Sequence, residues 1–390
     1  MENPSLNFSL ARTNRTFIGR WWWTIDTFSL FLIFLLMGIG SFLVLAASPS
    51  VAENHTWQTF YFVKRHLTIL GPSIVLMVTL SSLSLKNVQR VSLLLFAGGL
   101  ILLLLTLFWG IEIKGARRWI GLKWGFSLQP SEFMKPVLAV LCAWMFSEKQ
   151  RLGNFPGNMI SFFLMAVVIV LLLLQPDFGM SFLMVATWLV QFFLSGVSLW
   201  WVGGLAGLGS FGLVGAYFCL PHVRHRIHIF LHPEIDRFGE QFQIFKSLDA
   251  FSNGGFWGQG PGEGVVKHSL PDAHADFIFA VAGEEFGFVL CFSILLLFGG
   301  LILRSSFRIL RQKDFFITLA AAGLIVQLAF QVFINTASTL NLIPPKGMTL
   351  PFISYGGSSL LSASIAMGFL LAFTRERVTL KSPLARLFHR

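Results

Sequence analysis

The stretch Leu270-Pro271-Asp272-Ala273-His274-Ala275-Asp276-Phe277-Ile278 places an acidic, polar cluster directly before an apolar run. A carboxylate at Asp276 has two open uses there. It can cap the N terminus of the coming helix, a place Asp fills well. It can also take a proton from a hydroxyl nucleophile or hold a divalent cation. Asp272 and His274 are near enough in sequence to compete for the role. Glu284 and Glu285 lie two turns deeper, and at least one is expected to face protein rather than lipid.

Three other places carry polar chemistry. The segment Lys114-Gly115-Ala116-Arg117-Arg118-Trp119-Ile120 is basic. Its guanidinium forks suit phosphate, either of a lipid headgroup or of an anionic ligand. Glu132 and Lys135, three residues apart, share a helix face and can pair; within a span such groups are costly and turn to a partner or a cavity. The stretch from Leu342 to Leu360 holds Lys346, Ser354, Gly356, Gly357, Ser358 and Ser359. Small residues allow close backbone approach, and hydroxyls with free N–H groups at a helix start suit an anion. Tight helix packing is the other reading of that stretch. The glycine run 258–264 follows no strand and is interrupted by Pro261, so it is a poor dinucleotide fingerprint and is expected to form a flexible re-entrant turn. Cys142, Cys219 and Cys291 lack metal-ligand spacing and are read as packing residues.

The elements that must position these groups follow from composition. The chain of 390 residues is 55% hydrophobic and only 12% charged, whereas soluble domains carry about a quarter charged residues. Lipid must cover much of such a surface. Its net charge of +11 is dispersed between apolar runs, so it marks topology and no nucleic-acid partner is expected. A ruler of roughly 20 apolar residues predicts an all-α integral membrane protein of about ten spanning helices. They fall near 25–47, 66–85, 92–111, 131–147, 157–175, 179–197, 199–220, 277–303, 315–337 and 357–373. One polytopic domain spans 1–390, with a long outer loop at about 221–276 between the seventh and eighth helices. The first run is too long for the apolar core of a cleavable signal. Lys and Arg crowd the side holding the N terminus (Arg12, Arg15, Arg20, Lys86, Arg90, Lys149, Arg151, Arg304, Arg308, Arg311, Lys313 and the tail) and are fewer in the short loops opposite. Both termini are therefore expected in the cytoplasm. Trp21, Trp22, Trp23, Trp200 and Trp201 flank helix ends, where such rings prefer the headgroup layer.

Taken together, Lys-Gly-Ala-Arg-Arg-Trp-Ile at 114–120, Gln-Pro-Ser-Glu at 129–132, Gln-Pro-Asp-Phe-Gly at 175–179, His-Ala-Asp-Phe-Ile-Phe-Ala-Val at 274–281 and Leu-Pro-Phe-Ile-Ser-Tyr-Gly-Gly-Ser-Ser-Leu at 350–360 resemble the SEDS family (shape, elongation, division, sporulation) in family order. The run Gly-Pro-Gly-Glu-Gly-Val-Val-Lys at 260–267 and the Trp-Trp-Trp and Ala-Ala-Ser-Pro flanks of the first helix are more similar to the division member than to the elongation member. Ala275, Phe242, Asn341 and Pro345 depart from residues common in the family without removing an ionisable group.

The resemblance implies a ten-helix fold and a peptidoglycan glycosyltransferase. Such an enzyme joins lipid II units, each an undecaprenyl-pyrophosphate-linked disaccharide peptide, on the outer face of the bacterial inner membrane during septal synthesis. It works beside a class B penicillin-binding protein and other division proteins. The family's essential carboxylate falls on Asp276. Arg117, Arg118 and Lys346 would steady the leaving pyrophosphate, with Lys114, Glu132, Lys135, His274, Glu285, Ser354, Gly356, Gly357, Ser358 and Ser359 as further substrate-binding candidates. A divalent cation, magnesium or manganese, is expected to assist, with no ligands assigned. The alternatives are a lipid II flippase using Glu132, Lys135, Glu284, Glu285, Gln327, Gln331 and Asn335 as a path, a noncatalytic division scaffold, and an elongation-type polymerase.

Overall fold

The computed structural model describes residues 17–54, 59–113, 115–122, 127–219, 224, 228, 230 and 241–376. Helices α1 (Phe17–Thr24), α2 (Thr27–Asn54), α3 (Tyr61–Ser81) and α4 (Leu85–Trp109) lead into strands β1 (Ile111–Ile113), β2 (Ala116–Gly121) and β3 (Ser127–Leu128). Then come α5 (Pro130–Leu152), α6 (Gly157–Leu174), α7 (Phe178–Leu194), α8 (Leu199–Cys219), α9 (Phe242–Gly254), α10 (Ile278–Ile309), α11 (Phe315–Thr339) and α12 (Gly357–Thr374). Each of the ten apolar runs coincides with one of these helices. Seven helices among the described residues are long and apolar enough to cross a membrane.

Packing sorts the helices into core and rim. α5 touches α4, α6, α7, α11 and α12. It is thereby screened from lipid, which lets it carry Glu132 and Lys135. α12 packs most extensively against α3 and also against α5. α8 leans on α7 alone among its more extensive contacts, and Trp200, Trp201, Phe211 and Phe218 stand exposed along it. In a bilayer those side chains meet lipid at no cost.

The far ends of three helices are locked by charge. Asp26, before α2, is buried and accepts hydrogen bonds from Arg304 (3.3 Å) and Ser29 (2.8 Å) and lies 2.9 Å from the Arg308 guanidinium in an ion pair. Arg308 also donates to the Thr374 carbonyl at the end of α12 (3.2 Å). Burying Asp26 is tolerable because charges and a hydroxyl replace its water.

Three features depart from the sequence expectation. The basic segment after α4 is an antiparallel sheet in the order β1-β2-β3, too short for a periodicity signal. The long loop contains α9, whose Ile244, Ser247, Ala250 and Gly254 form one buried stripe at helical spacing. A 20-residue ruler passes over a helix of 13 residues. Finally, α10 is broken at Gly287, which holds φ 70° and ψ −166°. The carbonyls freed by the break accept from Gln259 N (to Glu284, 2.9 Å) and Gly260 N (to Glu285, 3.0 Å). The freed amides of Phe288 and Val289 donate to Gly255 (3.0 Å) and Phe256 (3.4 Å). The glycine-rich segment is thus a stitched splint rather than a flexible turn. Cys142 and Cys291 are buried free thiols, as a packing role requires; the Cys219 side chain lies outside the described residues.

Candidate active site

Asp276 lies near the end of a run of turns at 271–277, just ahead of α10. The N-cap position belongs to Phe277, so Asp276 lies one residue outside the place a capping Asp would take. Its carboxylate is half-buried and turns toward the segment joining α11 to α12. There Oδ2 lies 3.2 Å from where a Cβ on Gly347 would stand, and Gly347 adopts φ +59°. A side chain at 347 would be strained and would crowd the carboxylate.

Asn335 fastens the same two segments. Its amide donates to the Asp276 carbonyl (3.0 Å) and to the Met348 carbonyl (2.6 Å). One turn earlier on α11, Gln331 donates to the Thr349 carbonyl (3.1 Å) and accepts from Lys135 Nζ (3.1 Å). Lys135 in turn pairs with Glu132 at 2.7 Å, both buried. A polar thread therefore runs from the Asp276 turn through α11 to α5. Low dielectric strengthens such a thread once its members are satisfied.

His274 packs its ring 4.1 Å from Phe62 and 5.2 Å from Tyr355. Its carbonyl accepts from Tyr355 N at 2.9 Å. Burial pushes the Tyr355 phenol up from its ordinary range, and the neighbouring Arg65 opposes the rise. Lys346, beside Gly347, is exposed. Its Cδ would lie 3.5 Å from a Cβ on Gly179, so it reaches over the start of α7. Asp177 caps that helix by accepting from Met180 N at 3.3 Å. Burial raises the Asp177 carboxyl above the usual range, with Arg118 the largest opposing influence.

The two arginines part company. Arg118 donates to the Gln175 carbonyl at 3.1 Å and to the Pro176 carbonyl, holding the turn before α7. Arg117 is exposed and pairs with Glu112 at 3.3 Å. Lys114 lies outside the described residues. Ser358 accepts from Gln129 N at 3.0 Å, Ser359 bonds Thr349 at 2.6 Å, and Ser354 accepts from Leu350 N at 2.8 Å. Gly357 allows α12 to approach Ile69 of α3, and Gly356 lies against Ser359 and Thr349. These small residues serve tight packing. Glu284 and Glu285 are fully buried. Glu284 accepts from Val266 N (2.6 Å) and Lys267 N (3.0 Å), and Glu285 pairs with buried Lys267. Together they anchor the glycine-rich splint.

The structure thus gathers Asp276, His274 and Lys346, with Asp177 and Arg118 across the start of α7, and keeps Glu285 with Lys267. Asn335, Gln331, Asp177 and Lys267 were not assigned to the site on sequence. Gln327, Gln331 and Asn335 do recur every fourth residue on an apolar helix, a legible signal of one polar face. Among the described residues, no group of three or more His, Cys, Asp or Glu side chains is placed to hold a metal ion.

The family model described as a cell cycle protein, covering FtsW, RodA and SpoVE, matches residues 27–379. A probable peptidoglycan glycosyltransferase FtsW of Caulobacter vibrioides is 41% identical over 95% of this chain and 94% of its own length. Stage V sporulation protein E of Bacillus subtilis is 37% identical over 90% of this chain and 97% of its own. Among solved structures, a chain from work on the structural coordination of polymerization and crosslinking by a peptidoglycan synthase complex superimposes with a TM-score of 0.73 at 28% identity, covering 90% of this chain and 97% of that one. The rod shape determining protein RodA of Thermus thermophilus matches with a TM-score of 0.66 at 25% identity and the same coverage. The chain belongs to the cell cycle protein family of FtsW, RodA and SpoVE.

Proposed function

We infer that this multi-pass membrane enzyme is a peptidoglycan glycosyltransferase of septal wall synthesis, and we propose that Asp276 carries its chemistry. The supporting observation is the placement of Asp276: outside the N-cap position, half-buried, and turned toward Gly347 beside Lys346. The 4-hydroxyl oxygen of one lipid II sugar attacks the anomeric carbon of the growing strand. Asp276 takes the hydroxyl proton, the bond from the anomeric carbon to the pyrophosphate oxygen breaks, and lipid pyrophosphate leaves with the electron pair. Lys346, at the mouth of the site, is placed to meet the leaving group's charge, and Arg117 is the exposed guanidinium on the neighbouring sheet. Arg118 supports the turn beneath them. A magnesium or manganese ion, for which no protein ligands are assigned, would supply charge neutralisation at the leaving pyrophosphate.

A class B penicillin-binding protein is the proposed crosslinking partner, in line with a relative that is a chain of a peptidoglycan synthase complex. The distribution of Lys and Arg supports the reading that both termini lie in the cytoplasm, and the proposed place of action is the septum of the bacterial inner membrane, among other division proteins. The test is Asp276→Asn in purified protein supplied with lipid II. Asparagine removes the charge and the basicity while keeping the shape. Glycan formation should fall by about 10²–10⁴-fold, with melting temperature and lipid II binding retained. Near-normal polymerisation would overturn the assignment.

A further inference from the structure

We infer that Asn335 is a positioning residue for the glycosyl transfer, the clamp that holds the Asp276 carboxylate against the segment joining α11 to α12. The inference rests on Asp276 being the general base. Both partners of the Asn335 side chain are carbonyl oxygens, of Asp276 and of Met348. Only the NH2 group can face two acceptors, so both of its donors are committed and its orientation is fixed. The residue is 2% exposed, and its Oδ1 finds no partner among the described residues. A buried acceptor left unused is a standing cost. The amide bears that cost while satisfying two carbonyls that an apolar side chain would leave unpaired. What the amide gains is a tie between two segments that have no other short covalent route to each other, 59 and 13 residues away in sequence.

Both segments need holding. The Asp276 turn contains Asp272 at φ +52°, and the facing segment contains Asn341 at φ +56° and buried Phe352 at φ +64°. A left-handed aromatic residue is an outlier that persists only where its surroundings impose it. The carboxylate oxygen meets Gly347, the residue preceding Met348, so the clamp acts one residue from the point of contact. Reacting groups misplaced by about 1 Å can cost about 100-fold in rate.

The test compares Asn335→Leu and Asn335→Asp with Ser247→Ala in full-length purified protein supplied with lipid II. Ser247 makes a buried hydrogen bond to the Thr339 carbonyl, one turn farther along α11 (2.7 Å), and touches no residue of the site named above. Leu removes both donors at similar volume; Asp turns acceptors toward both carbonyls. The Asn335 variants should lose about 30–100-fold in kcat, with KM for lipid II within about twofold. Ser247→Ala should lower only the melting temperature. If Asn335→Leu does not fold, Asn335→Ser carries the same readout. Wild-type kcat in folded Asn335 variants, or a rise in KM with kcat unchanged, overturns the positioning role. Asp276→Asn is run alongside: if it is active, the base assignment fails; if it is inactive while Asn335→Leu has normal kcat, only the clamp fails.

Discussion

Replacing Gly287 by alanine puts a side chain at the break in α10, and the structure gives the magnitude. The residue holds φ 70° and ψ −166°, a region that is essentially glycine-only and costs other residues about 1–3 kcal/mol. The new Cβ would stand 2.4 Å from the Phe256 carbonyl oxygen, 2.5 Å from Gly258 N and 2.6 Å from the Phe256 carbonyl carbon. All three are backbone atoms of the splint, so the clash cannot be relieved by a rotamer change. Overpacking of this kind costs about 1–3 kcal/mol more. The sum is about 2–6 kcal/mol, unless the helix straightens and forfeits the four splint hydrogen bonds. Thermal unfolding of the purified protein, with glycan formation measured in parallel, reads both outcomes. Gly287→Ala should melt several degrees lower and polymerise poorly, because the piece of α10 that follows Asp276 has shifted. Gly38→Ala in α2, where a Cβ meets nothing within 4 Å, should be neutral or slightly stabilising. If the two variants behave alike, the break in α10 is not held by the glycine.

Two further outcomes follow from buried charge. Lys267→Met strands the Glu285 carboxylate, fully buried beside it, and should cost about 3–5 kcal/mol; adding Glu285→Gln should recover part of the loss, and strictly additive melting shifts in the double variant would deny the pairing. Asp177 should be stabilised by replacement with Asn, which caps as well as Asp. Its carboxyl is raised by burial, net of Arg118, so the folded state binds the proton more tightly than the unfolded one. Asp177 therefore loses stability for the fold as pH rises from about 4 through the raised value. Asp177→Asn should melt higher than the parent at pH 7, and the difference should vanish near pH 3; a constant difference across that range would contradict the burial argument.

The helices were legible because apolar length is a one-dimensional property, and each run landed on a helix. The carboxylate at Asp276 was legible because a polar cluster abutting an apolar run is conspicuous in any order of reading. Its two open uses were separated only by backbone geometry, which gives the N-cap to Phe277. Arg117 and Arg118, neighbours in sequence, looked equivalent; a strand points successive side chains to opposite faces, and only Arg118 reaches the 175–176 carbonyls. The Ser358 and Ser359 hydroxyls read as anion donors because their partners are not sequence neighbours: Gln129 lies on another segment and Thr349 ten residues earlier. Glu285 looked like a site residue for the same reason: Lys267, which neutralises it, is 18 residues away. The break in α10 was invisible because Gly287 sits inside an uninterrupted apolar pattern, and only the approach of the splint makes a glycine necessary there.

The last helix, α12, is wedged between α3 and α5, with 83% of its apolar window buried inside the protein. On the ribosome, α3 and α5 are made long before it. From Leu152 at the end of α5 to Thr374 at the end of α12 is 222 residues (374 − 152), or about 11–44 s at about 5–20 residues per second. For that interval the slot between α3 and α5 has no protein to fill it, and lipid chains occupy it. Completion of the bundle is then an expulsion of lipid by the final helix, with closure of the Asp26 lock at the same end. A chain stopped before Gly357, the start of α12, is therefore an open, lipid-filled bundle rather than a slightly shortened enzyme.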